Sequence, residues 1–131
     1  MTKKALLSTI WIFAVLNYLY CDVLSFMDSG LLKQYLTGRV NGMTVSQEFL
    51  LAAGFLMEIS ISMVLLSRVL PHQINRWTNV VAGTITTLAQ VASLFVGPTG
   101  YYLFFSAFEI AATTSVVVLA LKWSEESPMT L

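Results

Sequence analysis

Residues 49–70 read FLLAAGFLMEISISMVLLSRVL, an apolar run whose one acid, Glu58, stands near its centre. At about 1.5 Å of rise per residue, a helix of this length crosses the roughly 30 Å of hydrocarbon in a bilayer. Three more runs of similar character lie at residues 5–27, 77–97 and 101–123. Between them are a longer connection at 28–48 and two short turns, 71–76 and 97–100, each marked by Pro or Gly. The expected fold is all-α, an integral membrane four-helix bundle, with residues 1–131 forming a single membrane domain.

Composition points the same way. Of 131 residues, 56% are hydrophobic and 11% charged, and the mean hydropathy is +0.75. Soluble domains carry about 25% charged residues, so lipid is the expected solvent and first partner. Seven Lys and Arg balance seven Asp and Glu, which leaves no basic field to hold nucleic acid. The single cysteine, Cys21, has no partner for an internal disulfide, and the single histidine, His72, cannot build a zinc site alone. No phosphate loop, dinucleotide fingerprint, nucleophile elbow or metal signature is present, so no cofactor and no enzymatic activity are expected.

Lys3 and Lys4 precede a run too long for a secretory signal and without a small-residue cleavage pattern, so the first run is read as a retained helix. Bulky Leu19 and Tyr20 before Cys21 argue against lipoprotein processing and leave Cys21 as packing. An arrangement with the N-terminus inside places Lys3, Lys4, Arg68, Arg76 and Lys122 in the cytoplasm and only Lys33 and Arg39 outside. Both termini are therefore expected to be cytoplasmic, in a cell (inner) membrane. Trp11, Trp77 and Trp123 fall near the cytoplasmic helix ends and Tyr101 and Tyr102 near the outer one, as headgroup-level aromatics do. In the outer connection Leu31, Leu32, Tyr35 and Leu36 recur at helical spacing between Gly30 and Gly38, which predicts a short interfacial helix between the first and second spans.

Chemistry in such a chain must come from polar groups at membrane depth, where an acid costs at least about 2.5 to 3.5 kcal/mol to insert. Asp22, Glu58 and Glu109 are the acids there, with Gln90 and Asn17 as amides and no Lys, Arg or His at comparable depth. Residues three or four apart share a helix face. By that spacing Asn17, Cys21 and Ser25 form one stripe, with Tyr18 and Asp22 alongside, and Gly54, Glu58 and Ser62 another. Asn79, Gly83, Thr86, Gln90, Ser93 and Gly97 form a third, and Tyr102, Ser106, Glu109 and Thr113 a fourth. Small and hydroxyl residues on these seams allow close helix approach, so the seams are expected to face inward. Glu58 then sits near the midplane, Gln90 and Glu109 roughly 4 to 5 Å further out, and Asp22 beyond them.

Two readings stand side by side. Asp22, Glu58 and Glu109 receive a cation, a proton or a small polar solute, with Gln90 and Asn17 orienting the bound group. Alternatively the acids hydrogen-bond to neighbouring hydroxyls and amides and hold the helices of a structural or accessory subunit together. A third class, an enzyme acting on a lipid-soluble substrate, lacks a nucleophile and base pair. Four helices are few for a complete transporter, and the halves show no inverted repeat, so transport calls for a homodimer or another membrane protein as partner. The Arg68, His72 and Arg76 row reads as a solvated cytoplasmic edge, and Glu125 and Glu126 as solvated charge.

Residues 17–24 (NYLYCDVL), 51–59 (LAAGFLMEI), 75–79 (NRWTN) and 105–110 (FSAFEI) resemble those of an uncharacterised family of small bacterial membrane proteins with four helices. The resemblance spans nearly the whole chain and includes the blocks around Asp22, Glu58 and Glu109. It implies a bacterial inner-membrane protein and carries no assigned activity.

Overall fold

The computed structural model describes residues 2–97 and 99–124. Four helices are long and apolar enough to cross a membrane: α1, Lys3–Met27; α3, Gln47–Val69; α4, His72–Ser93, prolonged by a 3-10 turn at Leu94–Val96; and α5, Gly100–Leu121. A shorter helix α2, Ser29–Thr37, and a small hairpin of β1, Arg39–Val40, and β2, Met43–Thr44, fill the connection between α1 and α3. The fold is thus the all-α bundle expected, and it agrees with a multi-pass membrane protein. Pro98 and the Glu125 and Glu126 pair lie outside the described residues.

Side-chain caps set most helix starts. Thr2 accepts from the Ala5 N–H, Ser46 from Phe49 and Thr99 from Tyr102, each oxygen satisfying one of the backbone donors a helix N-terminus leaves free. Asp28 works at a joint: its N–H bonds back to the carbonyls of Leu24 and Ser25 to end α1, and its carboxylate accepts from Gly30 and Leu31 to begin α2. Tyr101 donates to the other carboxylate oxygen at 3.1 Å, fastening the start of α5 to the same joint.

Two boundaries differ from expectation. Residues 72–76 are helical rather than part of a turn, because Pro71 takes the N-cap position of α4 and Asn75 folds its amide back onto the carbonyls of Ser67 and Leu70. The connection also holds a hairpin: Asn41 and Gly42 both take positive φ, 52° and 81°, the two-residue turn whose twist suits antiparallel strands. Asn41 N–H donates to Gln34 Oε1 at 2.8 Å, which ties the hairpin to α2.

The four long helices close a ring in which α1 lies between α3 and α5, and α4 completes the circuit against α5 and, less extensively, α3. Gly83 brings α4 onto α5: a Cβ there would lie 2.7 Å from Val117 Cγ2 and 3.2 Å from the Thr113 carbonyl. The apolar core sits at the end where α1 starts and α5 stops, in a cluster of Leu7, Trp11, Met63, Ala82, Val116 and Trp123. Trp11 and Trp123 are therefore packed inward rather than presented at headgroup level, and only Trp77 of the three is exposed. Arg76 likewise is no free edge charge, since it donates to the Ala120 and Leu121 carbonyls and caps the end of α5.

Candidate functional site

The two ends of the bundle treat polar groups differently. At the terminal end Asn79 Oδ1 accepts from Trp11 Nε1 at 2.8 Å and from Ser67 Oγ at 3.2 Å, while its amide donates to Asn75. Asn75 in turn donates to Ser67, and Ser8 donates to the Val64 carbonyl. Asn75, Asn79, Ser67 and Ser8 are fully buried, and their bonds join α1, α3 and α4 into a sealed plug.

Toward the α2 end the packing opens into two adjoining cavities. The first, about 190 Å³, lies beneath α2 and the hairpin and is lined by Asp22, Ser25, Tyr35, Asn41, Ser93 and Tyr102. Burial raises the Tyr35 phenol above its ordinary range, with the Asp22 charge adding to it. The second, about 180 Å³, lies deeper among Tyr18, Ser60, Thr86, Gln90, Ser93 and Tyr102. Ser93 and Tyr102 belong to both walls, and their hydroxyls are 2.6 Å apart. Gln90 is aimed by Ser106, whose Oγ accepts from its amide at 2.7 Å, and Ser93 donates to the Gln90 carbonyl.

Glu109 stands behind this chamber on α5. It is 2% exposed, and its Oε2 has no hydrogen-bond partner. Asp22, Tyr18, Cys21 and Tyr102 are the titratable groups within its electrostatic reach. A buried polar atom without a partner costs about 1–3 kcal/mol, so Glu109 Oε2, beside the chamber, gains on receiving a donor or a cation.

Of the five residues read from the sequence, the structure brings Asp22, Gln90 and Glu109 to this region. Glu58 is not with them: it is exposed on α3 and lines a separate groove against α4. The inward face of α3 is Ser60, Met63 and Ser67, which turns the Gly54, Glu58 and Ser62 stripe away from the bundle centre. Asn17 bonds its amide to the Phe13 carbonyl of its own helix at 2.8 Å and lines neither cavity. Tyr18, Ser60, Ser93 and Tyr102 join the site instead. Ser93 and Tyr102 share helix faces with Gln90 and Glu109, a signal present in the spacing, whereas nothing in the sequence marks Ser60.

The family model DUF6326, described as a family of unknown function, matches residues 1–130. The chain belongs to that family. Neither a curated protein nor a solved structure matches it.

Proposed function

We propose that this DUF6326 member is a membrane module that binds a small cation, a proton or a small polar solute in the chamber between Asp22 and Glu109. The observation that carries the reading is Glu109 Oε2, an acid oxygen fully inside a helix bundle with nothing bonded to it. Helix glue would spend that oxygen on a neighbour, as Asn79 spends its own. Asp22 is exposed and lines the outer of the two cavities, so it meets an entering ion first. The Ser93 and Tyr102 hydroxyls stand between the cavities, and Gln90 lines the inner one. With the sequence's orientation, the entry faces out of the cell and the Asn79 plug faces the cytoplasm. Passage across the membrane then requires the plug to open, in a homodimer or with a partner.

Thermal unfolding in detergent with sodium, potassium, ammonium, methylammonium and guanidinium tests this. A ligand at about a hundred times its Kd stabilises the folded state by about 2.7 kcal/mol, a readily measured shift in midpoint. One of these ions is expected to raise the midpoint of the wild type in a concentration-dependent way, with the rise lost in Glu109→Gln and kept in Asn17→Ala. No shift from any ion, together with a Glu109→Gln variant at least as stable as wild type, would overturn the proposal.

A further inference from the structure

Glu58 occupies a place the chamber does not explain. It is exposed on α3 beside a groove of about 600 Å³ walled by Phe55, Ile59, Trp77, Val81 and Ile85. The groove follows from how α3 and α4 are joined. Near the turn, hydrogen bonds from Ser67 and Asn75 hold the two helices together. Beyond it each helix packs mainly on another neighbour, α3 on α1 and α4 on α5, and the space between them widens. Ser62, Thr78 and Ala82, all small, leave the interior of the groove unfilled.

Chemistry narrows the occupant. The walls are apolar, the volume falls in the roughly 300–1,000 Å³ range of ligand pockets, and one carboxylate is the ionisable group among the lining residues. Glu58 is the twelfth residue of α3, so Arg68 is about 15 Å away along the axis, and Arg76 is already bonded to the end of α5. An acid facing lipid at that depth calls for a positive charge from outside the chain. A second copy does not bring one: a two-fold contact through this groove sets Glu58 against Glu58, and the copy's basic residues lie at its helix ends and connections. An occupant with a cationic head and an apolar body satisfies both walls and acid.

We propose that the α3–α4 groove binds lipophilic organic monocations arriving through the bilayer, the charged head on Glu58 and the apolar body between Phe55 and Trp77. This site is on a different face from the Asp22 and Glu109 chamber, and neither proposal rests on the other.

The test is titration of the whole chain in lipid nanodiscs with tetraphenylphosphonium, read by calorimetry and by tryptophan emission. Trp77 is 48% exposed beside the groove while Trp11 and Trp123 are buried, so the emission change should be lost in Trp77→Phe. Saturable binding is expected in wild type, weakened about tenfold or more in Glu58→Gln and held within about twofold in Glu109→Gln. Uncharged tetraphenylsilane should bind no better to wild type than to Glu58→Gln. Equal phosphonium affinity in wild type and Glu58→Gln, absence of saturable binding, or cross-linking of Phe55→Cys between two copies that excludes the phosphonium would each overturn the proposal.

Discussion

Asn79 and Glu109 are both buried polar side chains in long helices, yet one is bonded at every turn and the other is left short. That contrast makes opposite predictions. Asn79→Leu strands the Trp11 N–H and the Asn75 side chain and should lower stability by about 1–3 kcal/mol, measured by denaturant titration in mixed micelles. Glu109→Gln breaks no bond formed by Oε2 and should change stability by less than about 1 kcal/mol in the absence of ions. A loss from Glu109→Gln as large as that from Asn79→Leu would return Glu109 to a structural role. At this scale the sequence was informative about which residues to watch, because an acid or amide in an apolar run stands out. It was less so about direction. Glu58 shares its stripe with Gly54 and Ser62, which resembles an inward seam, but Ser60, Met63 and Ser67 form an equally good one and win the packing against α1 and α4. Asn17 satisfies its amide within its own helix, a choice no spacing rule shows.

At the scale of elements, the apolar runs located all four long helices, and the differences concern their ends. Pro71 reads as a turn residue and acts as an N-cap, so α4 begins several residues before the apolar pattern does. The hairpin turning at Asn41 and Gly42 lies outside that expectation, because its strands are two residues each, too short to show alternation. Gly42 holds φ at 81°, where a side chain costs about 1–2 kcal/mol. Gly42→Ala should therefore speed hydrogen exchange at the Asn41 and Val45 amides, which bond to Gln34 and Gly38, while leaving the long helices protected. Gly83→Ala should act on the bundle itself: its Cβ meets Val117 and the Thr113 carbonyl, and overpacking of this kind costs about 1–3 kcal/mol. A midpoint for Gly83→Ala equal to wild type would mean that α4 and α5 are not in close contact there.

The bundle is asymmetric along its length, sealed by hydrogen-bonded amides where α1 starts and α5 stops and hollow beneath α2 and the hairpin. Spacing orders the polar groups along each helix but has no means of showing that Ser60 of α3 joins α1, α4 and α5 around the chamber while Glu58 of the same helix turns outward, since position along a helix is one-dimensional and neighbours are not. The distribution of Lys and Arg is the basis for proposing that the hollow end faces outward. In a Cys21→Ala background, a membrane-impermeant thiol reagent applied to intact cells should label Leu36→Cys, 79% exposed on α2, and spare Gln73→Cys near the α3–α4 turn. The opposite pattern would place the chamber on the cytoplasmic side.

The most direct test of the central claim looks at the Glu109 carboxyl itself. Its infrared vibrations can be isolated as the difference between wild type and Glu109→Gln, recorded in lipid before and after adding the ion that raises the thermal midpoint. The account predicts that these bands shift on ion addition and saturate with the same concentration dependence as the thermal effect. Bands that stay fixed while the ion stabilises the protein would show that the ion binds elsewhere and that Glu109 is not its ligand.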